Sequence, residues 1–412
     1  MQATGGRPTV RQGCGKPTVQ RKGQKLTEAK RGIRLVLAAA ALGLAITASG
    51  SAAPGDRATY IVVLKESAGA VPAIAAEHAR RYGAEISFVY THALNGYAAS
   101  LPQAAARALA HDPRVAYIEA DGTFSADATQ AGATWGLDRV DQRYRPLDGA
   151  FSYSNTGAGV TAYIIDTGVR FSHSEFGGRA TTGYDAVSVG GTAADCNGHG
   201  THVAGTVGGS TYGVAKDVRL LAVRVLNCSG SGTTAQVVAG IDWVTGDHQA
   251  GQPAVANMSL GGSASTALDT AVRNSIADGV SYAIAAGNGF LGLFAQNACN
   301  TSPARVTEAM TVSATDSSDR KPSWANVGSC VDWFAPGVSI TSAWYTSDTA
   351  TNTISGTSMA TPHATGVAAL YLQGDPAATP SQVQEALRTA ATTGVVTSAG
   401  TSSPNRLLFT SY

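Results

Sequence analysis

Between Val160 and Ala391, short apolar runs alternate with longer segments of helical character, and this alternation narrows the choice of fold more than any other feature. Val160 to Ile165, Val218 to Val225, Ala254 to Met258, Ser281 to Ala286 and Met310 to Ala314 read as strands. His199 to Gly208, Thr234 to Asp247, Thr266 to Asp278, Ser358 to Leu372 and Pro380 to Ala391 read as amphipathic or small-residue helices. Alternation of this kind implies an α/β fold, a doubly wound and mostly parallel sheet with helices on both faces. In such a sheet a site forms beyond the carboxyl ends of the strands. No internal repeat or low-complexity tract interrupts the pattern.

A second unit precedes it. A chain of 412 residues, 44% apolar, can bury one large core and carry an additional small domain. From about Ala58 to Asp121 the order is strand Thr59–Leu64, helix Val71–Tyr82, strand Ile86–Tyr90, strand Asn95–Leu101, helix Pro102–His111 and strand Val115–Glu119. That is an α+β order on a mostly antiparallel sheet. Residues 122 to 134, rich in Ala, Thr, Gly and Asp, read as a processed linker.

The net charge of +1 hides an uneven distribution. Residues 1–34 hold nine Lys and Arg against Glu28, about +8, which leaves about −7 on the rest. An acidic remainder without basic clusters argues against nucleic acid as a partner. The basic start runs into the apolar stretch Leu35 to Ile46 and then into small residues up to Ala53, the make-up of a secretory signal with a long n-region. Its core is shorter than the roughly 20 residues a membrane span needs, so the processed protein is expected off the membrane. Export agrees with the cysteines. Cys14 leaves with the leader, and Cys196, Cys228, Cys299 and Cys330 remain, enough for two bridges. Sequential pairing would close loops of 32 and 31 residues, with reduced thiols or a metal site as alternatives.

Three motifs carry chemistry. Asp166-Thr167-Gly168 follows the first strand of the alternating region, His199-Gly200-Thr201-His202 opens a helix, and Gly356-Thr357-Ser358-Met359-Ala360-Thr361-Pro362 opens another. A serine hydroxyl becomes a useful nucleophile when a histidine takes its proton and a carboxylate holds that histidine's tautomer. The free N–H groups at the start of the Ser358 helix can stabilise an oxyanion beside it. Ala285-Ala286-Gly287-Asn288 ends a strand and offers one further donor. The order Asp, His, Ser excludes an α/β-hydrolase, whose order is Ser, Asp/Glu, His and whose nucleophile lies in Gly-x-Ser-x-Gly; Ala360 stands in place of the last Gly. His202, His363, Asp185 and Asp195 read as structural.

The motif order and contexts resemble the subtilases, in their proteinase K-like branch, and the Trp135 to Gln142 and Ser403 to Leu408 segments resemble the aqualysin group. This resemblance covers Tyr60 to the C-terminus. It implies a subtilisin-like fold and a secreted, autoprocessed serine endopeptidase acting on polypeptides as a monomer, in which Ser358 attacks, His199 shuttles the proton, Asp166 orients His199 and Asn288 binds the oxyanion. With the signal read above from the residues at 1–53, it implies an inhibitory propeptide at 54–127 and a peptidase domain at 128–412. It implies bridges Cys196–Cys228 and Cys299–Cys330. Ser259-Leu260-Gly261 would align an extended substrate by backbone pairing, and Leu260-Gly261 with Ala285-Ala286-Gly287 would form an uncharged pocket favouring apolar or aromatic residues before the scissile bond. Calcium is implied at two places: main-chain oxygens of Thr307 and Ala309 with the Asp332 carboxylate, and Asp138, Asp141 and Gln142. The segment 289–297 looks longer and more apolar than the family pattern. A catalytically silent, propeptide-blocked binding protein is the competing expectation.

Overall fold

The computed structural model describes residues 57–122, 128–289 and 292–412. The expected leader, part of the expected linker, and Phe290 with Leu291 lie outside the described residues. The chain divides into two compact units that part between Gly122 and Thr123, a few residues before the expected boundary.

The first unit is a four-stranded antiparallel sheet in the order Glu85–Tyr90, Gly96–Pro102, Arg57–Leu64, Val115–Ala120, with helices Val71–Tyr82 and Gln103–Leu109. Its core holds Val62, Leu64, Ile74, Tyr97, Leu101 and Leu109. The first helix stops at Gly83, whose left-handed φ of 67° suits a residue without Cβ. The second helix is shorter than expected at its start. Pro102 still pairs with Arg57 across the sheet, and so caps the helix rather than joining it.

In the second unit nine strands lie in the order Thr392–Thr393, Arg406–Leu407, Trp333–Pro336, Met310–Thr315, Ser281–Ala285, Ala254–Met258, Thr161–Asp166, Arg219–Arg224, Ala180–Asp185. All neighbours are parallel except the edge pair Thr392–Thr393 and Arg406–Leu407. Successive side chains of a strand point to opposite faces, and both faces are buried. Ile164, Val255 and Ala283 join a core with the helices His199–Gly208, Thr357–Gly374 and Pro380–Ala390. Tyr163, Ile165, Ala256 and Ile284 join the opposite core with Thr234–Asp247 and Thr266–Asp278. The expected doubly wound architecture is present.

Several boundaries differ. Asp166 is the last residue of its strand, paired with Arg224, rather than the residue after it. The strand Ala180–Asp185 lies on an edge, where polar residues are tolerated, and has no apolar run; Trp333–Pro336 is apolar but only four residues long and ends in a proline. Ala128–Ala131, assigned above to the linker, is a strand paired with Ala150–Tyr153. Both implied disulfides are formed, Cys196–Cys228 and Cys299–Cys330, with Cα separations of 4.9 and 5.4 Å.

Candidate active site

The carboxyl ends of adjacent parallel strands set up one rim. Asp166 ends Thr161–Asp166, Ser259 follows Ala254–Met258, and Ala286-Gly287-Asn288 follows Ser281–Ala285. Asp166 is fully buried, and its Oδ1 and Oδ2 accept from His199 Nδ1 at 2.8 and 3.0 Å. Burial opposes charge on His199, but the Asp166 carboxylate and its hydrogen bond, with Asp195 behind, outweigh it and raise the imidazole pKa. His199 Nε2 makes no hydrogen bond among the described residues.

Asp195 holds the helix that carries His199. Its Oδ1 accepts from Thr167 Oγ1, Asn197 N and Gly198 N, and its Oδ2 from Thr201 N and Oγ1. These bonds satisfy amides that the first helical turn leaves free. Gly198, at φ 112°, lies under the Trp344 ring, where a Cβ would come within 2.5 Å. His202 donates Nε2–H to Ile340 O at 3.0 Å and is pushed down to about 4 by burial, so it is a neutral packing residue as expected.

Ser358 is the second residue of Thr357–Gly374. Four residues on, Pro362 has no N–H, so Ser358 O loses its ordinary helical donor. Ser259 Oγ supplies the missing bond at 2.8 Å, itself held by Asn257 Nδ2 at 2.8 Å, while Asn257 Oδ1 accepts from Thr365 Oγ1 at 2.9 Å. Ser358 Oγ donates to Ser259 O at 3.2 Å rather than to His199. The side chain of Ser259 thus supports the Ser358 helix, while the residue also borders the larger cavity where substrate alignment by its main chain is expected.

Asn288 Oδ1 accepts from Thr357 N and Oγ1 at 2.9 and 3.0 Å, which fixes its amide and leaves Nδ2 free. A Cβ built on Gly356 would lie 3.4 Å from Asn288 Nδ2 and 3.6 Å from Ser358 N. The two donors thus border one small space beside Ser358.

Two cavities share the Leu260–Gly262 wall. One, of about 890 Å³, runs between Ser259–Ser265 and the segment Ser229–Thr234, with His199 at its edge. The segment Ser229–Thr234 was missed in the sequence; a Gly/Ser run just past a parallel strand, next to a cysteine, was the available signal. Leu260 and Gly261 make no backbone–backbone hydrogen bond among the described residues. The second cavity, about 260 Å³, is bordered by Leu260, Gly261, Ala285 and Gly287 of the expected pocket, with Asn288, Ser358, Gln296, Thr301 and Asn326 in addition. Ala286 does not border it: it is fully buried in the core, and its carbonyl accepts from Asn326 Nδ2. Beside this cavity, Leu293 and Phe294 of the apolar segment are exposed.

The two expected calcium sites differ in chemistry. Asp138, Asp141 and the unforeseen Asp148 gather around Gln142, whose Nε2 lies 2.6 Å from Asp138 Oδ1 and 2.7 Å from Asp148 Oδ1. Asp141 Oδ1 is buried with no partner, and burial together with repulsion from Asp138 and Asp148 pushes its pKa up to about 6. Three acids, no cationic neighbour and an orphaned buried oxygen fit a hard cation. As they stand, however, no group of three or more His, Cys, Asp or Glu side chains among the described residues is placed to hold a metal ion. At the other place, Thr307 O, Ala309 O and Asp332 Oδ1 do converge, but on Gln384 Nε2, at 3.3, 2.9 and 3.3 Å, with Arg388 Nη2 3.3 Å from the same Asp332 oxygen. Here, unlike at Asp138, a guanidinium stands against the single carboxylate, and an amide donor occupies the point where the ion was expected.

A rim carrying an acid–imidazole pair, a hydroxyl and two free N–H donors has the make-up of a serine hydrolase. Residues 157–407 match the subtilase family, and residues 59–127 match peptidase inhibitor I9. The chain is 57% identical over 373 residues to an extracellular serine proteinase of Thermus sp. (strain Rt41A), covering 86% of this chain and 89% of that protein. It is 53% identical over 334 residues to alkaline serine exoprotease A of Vibrio alginolyticus, covering 80% of this chain and 61% of that protein. The crystal structure of a cold-adapted subtilisin-like serine proteinase matches with a TM-score of 0.64 at 55% identity, over 68% of this chain and 98% of that one. The chain belongs to the subtilase family. It is a serine endopeptidase of subtilisin-like fold preceded by an I9-type propeptide.

Proposed function

We propose that Ser358, His199 and Asp166 are the nucleophile, general base and orienting acid of a secreted endopeptidase of broad specificity that matures itself. The Asp166–His199 pair, set on one rim with Ser358 and its two free donors, is the observation that carries this reading. The Asp166 carboxylate holds the proton on Nδ1 and leaves Nε2 as the base. Rotation about the Ser358 Cα–Cβ bond takes Oγ from Ser259 O toward that nitrogen; the hydroxyl proton passes to Nε2 as Oγ adds to the substrate carbonyl. The resulting oxyanion enters the space between Asn288 Nδ2 and Ser358 N. The imidazolium then protonates the leaving amine, and water repeats the sequence on the acyl-enzyme.

An extended substrate pairs with the free backbone of Leu260-Gly261, opposite Ser229–Gly232, and the uncharged pocket favours an apolar or aromatic side chain before the scissile bond. The basic leader and apolar stretch, the two disulfides and the naming of the Thermus relative as extracellular support export. No helix among the described residues is long and apolar enough to cross a membrane; the processed enzyme is read as a monomer acting off the membrane. Calcium at Asp138, Asp141, Asp148 and Gln142 would neutralise acids brought together by folding; its role is structural.

The test is to express the precursor with and without Ser358→Ala and follow cleavage near Ala128 and hydrolysis of casein. The unaltered chain matures and digests casein while the variant accumulates whole; equal maturation and digestion refute the nucleophile.

A further inference from the structure

We infer that Gln384 and Arg388 take the place of a cation at Asp332, so that this part of the peptidase unit is held together by side chains and not by calcium. The three oxygens expected as ligands are indeed brought to one point, but Gln384 Nε2 stands there, within 3.3 Å of all three. Every partner of that nitrogen is an acceptor, so the amide faces them with its N–H groups. Gln384 is buried, 8% exposed, and serves as the hub of the contact.

Charge decides against an ion. Calcium takes six to eight oxygens and draws its affinity from carboxylates. Asp332 is the single carboxylate here. One of its oxygens accepts from Thr311 N at 2.8 Å, and the other carries Arg388 Nη2 as well as Gln384. Arg388 pairs with Asp332, though burial outweighs it and raises that carboxyl's pKa to about 6, and an ion entering this space would meet a guanidinium 3.3 Å from its only anionic ligand. The two acids nearby are also tied to arginines, Glu385 to Arg388 Nη1 at 2.9 Å and Glu308, between Thr307 and Ala309, to Arg273 Nε at 3.2 Å. At Asp138, Asp141 and Asp148 the balance is the reverse, since no cationic side chain touches the three acids among the described residues.

The arrangement is carried by one helix. Gln384 and Arg388 are four residues apart and share a face of Pro380–Ala390. That helix starts from a capping box in which Thr379 and Gln382 bond each other's backbone, which fixes where the helix begins. The two side chains fasten it to the turn 307–309 before strand Met310–Thr315 and to Asp332, just before Trp333–Pro336, the same places that an ion would have joined.

Bound calcium is to be counted by equilibrium dialysis on the full chain in the Ser358→Ala background, which prevents self-digestion. Asp332→Asn is expected to leave the number of ions per chain unchanged. Gln384→Ala with Arg388→Leu is expected to add one ion, lost again when Asp332→Asn is included. Ions held elsewhere are common to all these chains and cancel in the comparison. Loss of an ion on Asp332→Asn alone, or no gain in the double variant, overturns the inference. Should Asp332→Asn fail to fold, the count in the double variant decides by itself.

Discussion

At the scale of single residues the site rests on where charge is placed and which donors are left free. The Asp166 carboxylate stabilises the imidazolium of His199 and raises its pKa, and the base must be neutral to accept the Ser358 proton. Activity is therefore lost as pH falls through that raised pKa and is retained above it, so kcat/KM plotted against pH should show an acid limb above the ordinary histidine value. Asp166→Asn should lower kcat by about 10⁴-fold and move the limb to lower pH; a limb that stays in place would show that the carboxylate does not act on His199. Asn288→Ala should cut kcat by about 10²–10³-fold with little change in KM, whereas a loss confined to KM would assign Asn288 to substrate binding. The Asp, His, Ser and Asn positions were legible because each sits in a local motif. The resting direction of the Ser358 hydroxyl was not, since it depends on a carbonyl 99 residues away.

At the scale of elements, helix starts and strand ends do the positioning. Pro362 deprives Ser358 O of its helical donor, and Ser259 Oγ replaces it from the neighbouring strand. Ser259→Ala should thus loosen the first turn of the Ser358 helix and lower kcat roughly fivefold, in keeping with the loss of a hydrogen bond of about 1 kcal/mol. Adding Pro362→Ala restores an N–H to that carbonyl, so the double variant should recover part of the loss. Kinetics of the three variants check this; strictly additive losses would dismiss the link. Helices and apolar strands were readable because their periodicity is local. Ala180–Asp185 and Ala128–Ala131 escaped notice because edge strands take their order from a partner and not from an apolar run.

At the scale of the whole molecule, contacts between distant segments hold the peptidase unit together. Arg139 is fully buried, and its guanidinium meets Asp319, 180 residues on, with Nε–Oδ1 at 2.7 Å and Nη2–Oδ2 at 3.2 Å. Arg139→Met strands a buried carboxylate and should cost about 3–5 kcal/mol, measured by denaturant unfolding of the precursor carrying Ser358→Ala; adding Asp319→Asn should recover part of it. A single variant as stable as its parent would show the pair to be dispensable. The sequence by itself determined the two-unit order, the parallel architecture and the identity of the acid, imidazole, hydroxyl and amide of the site, because periodicity and motif chemistry are written along the chain. Only the tertiary structure decided that Asp148 joins Asp138 and Asp141, that Ala286 turns into the core, and that Gln384 and Arg388 meet Asp332. Which donor reaches a given oxygen depends on how separate elements pack, and residues 52 and 56 positions apart carry no local mark of their meeting.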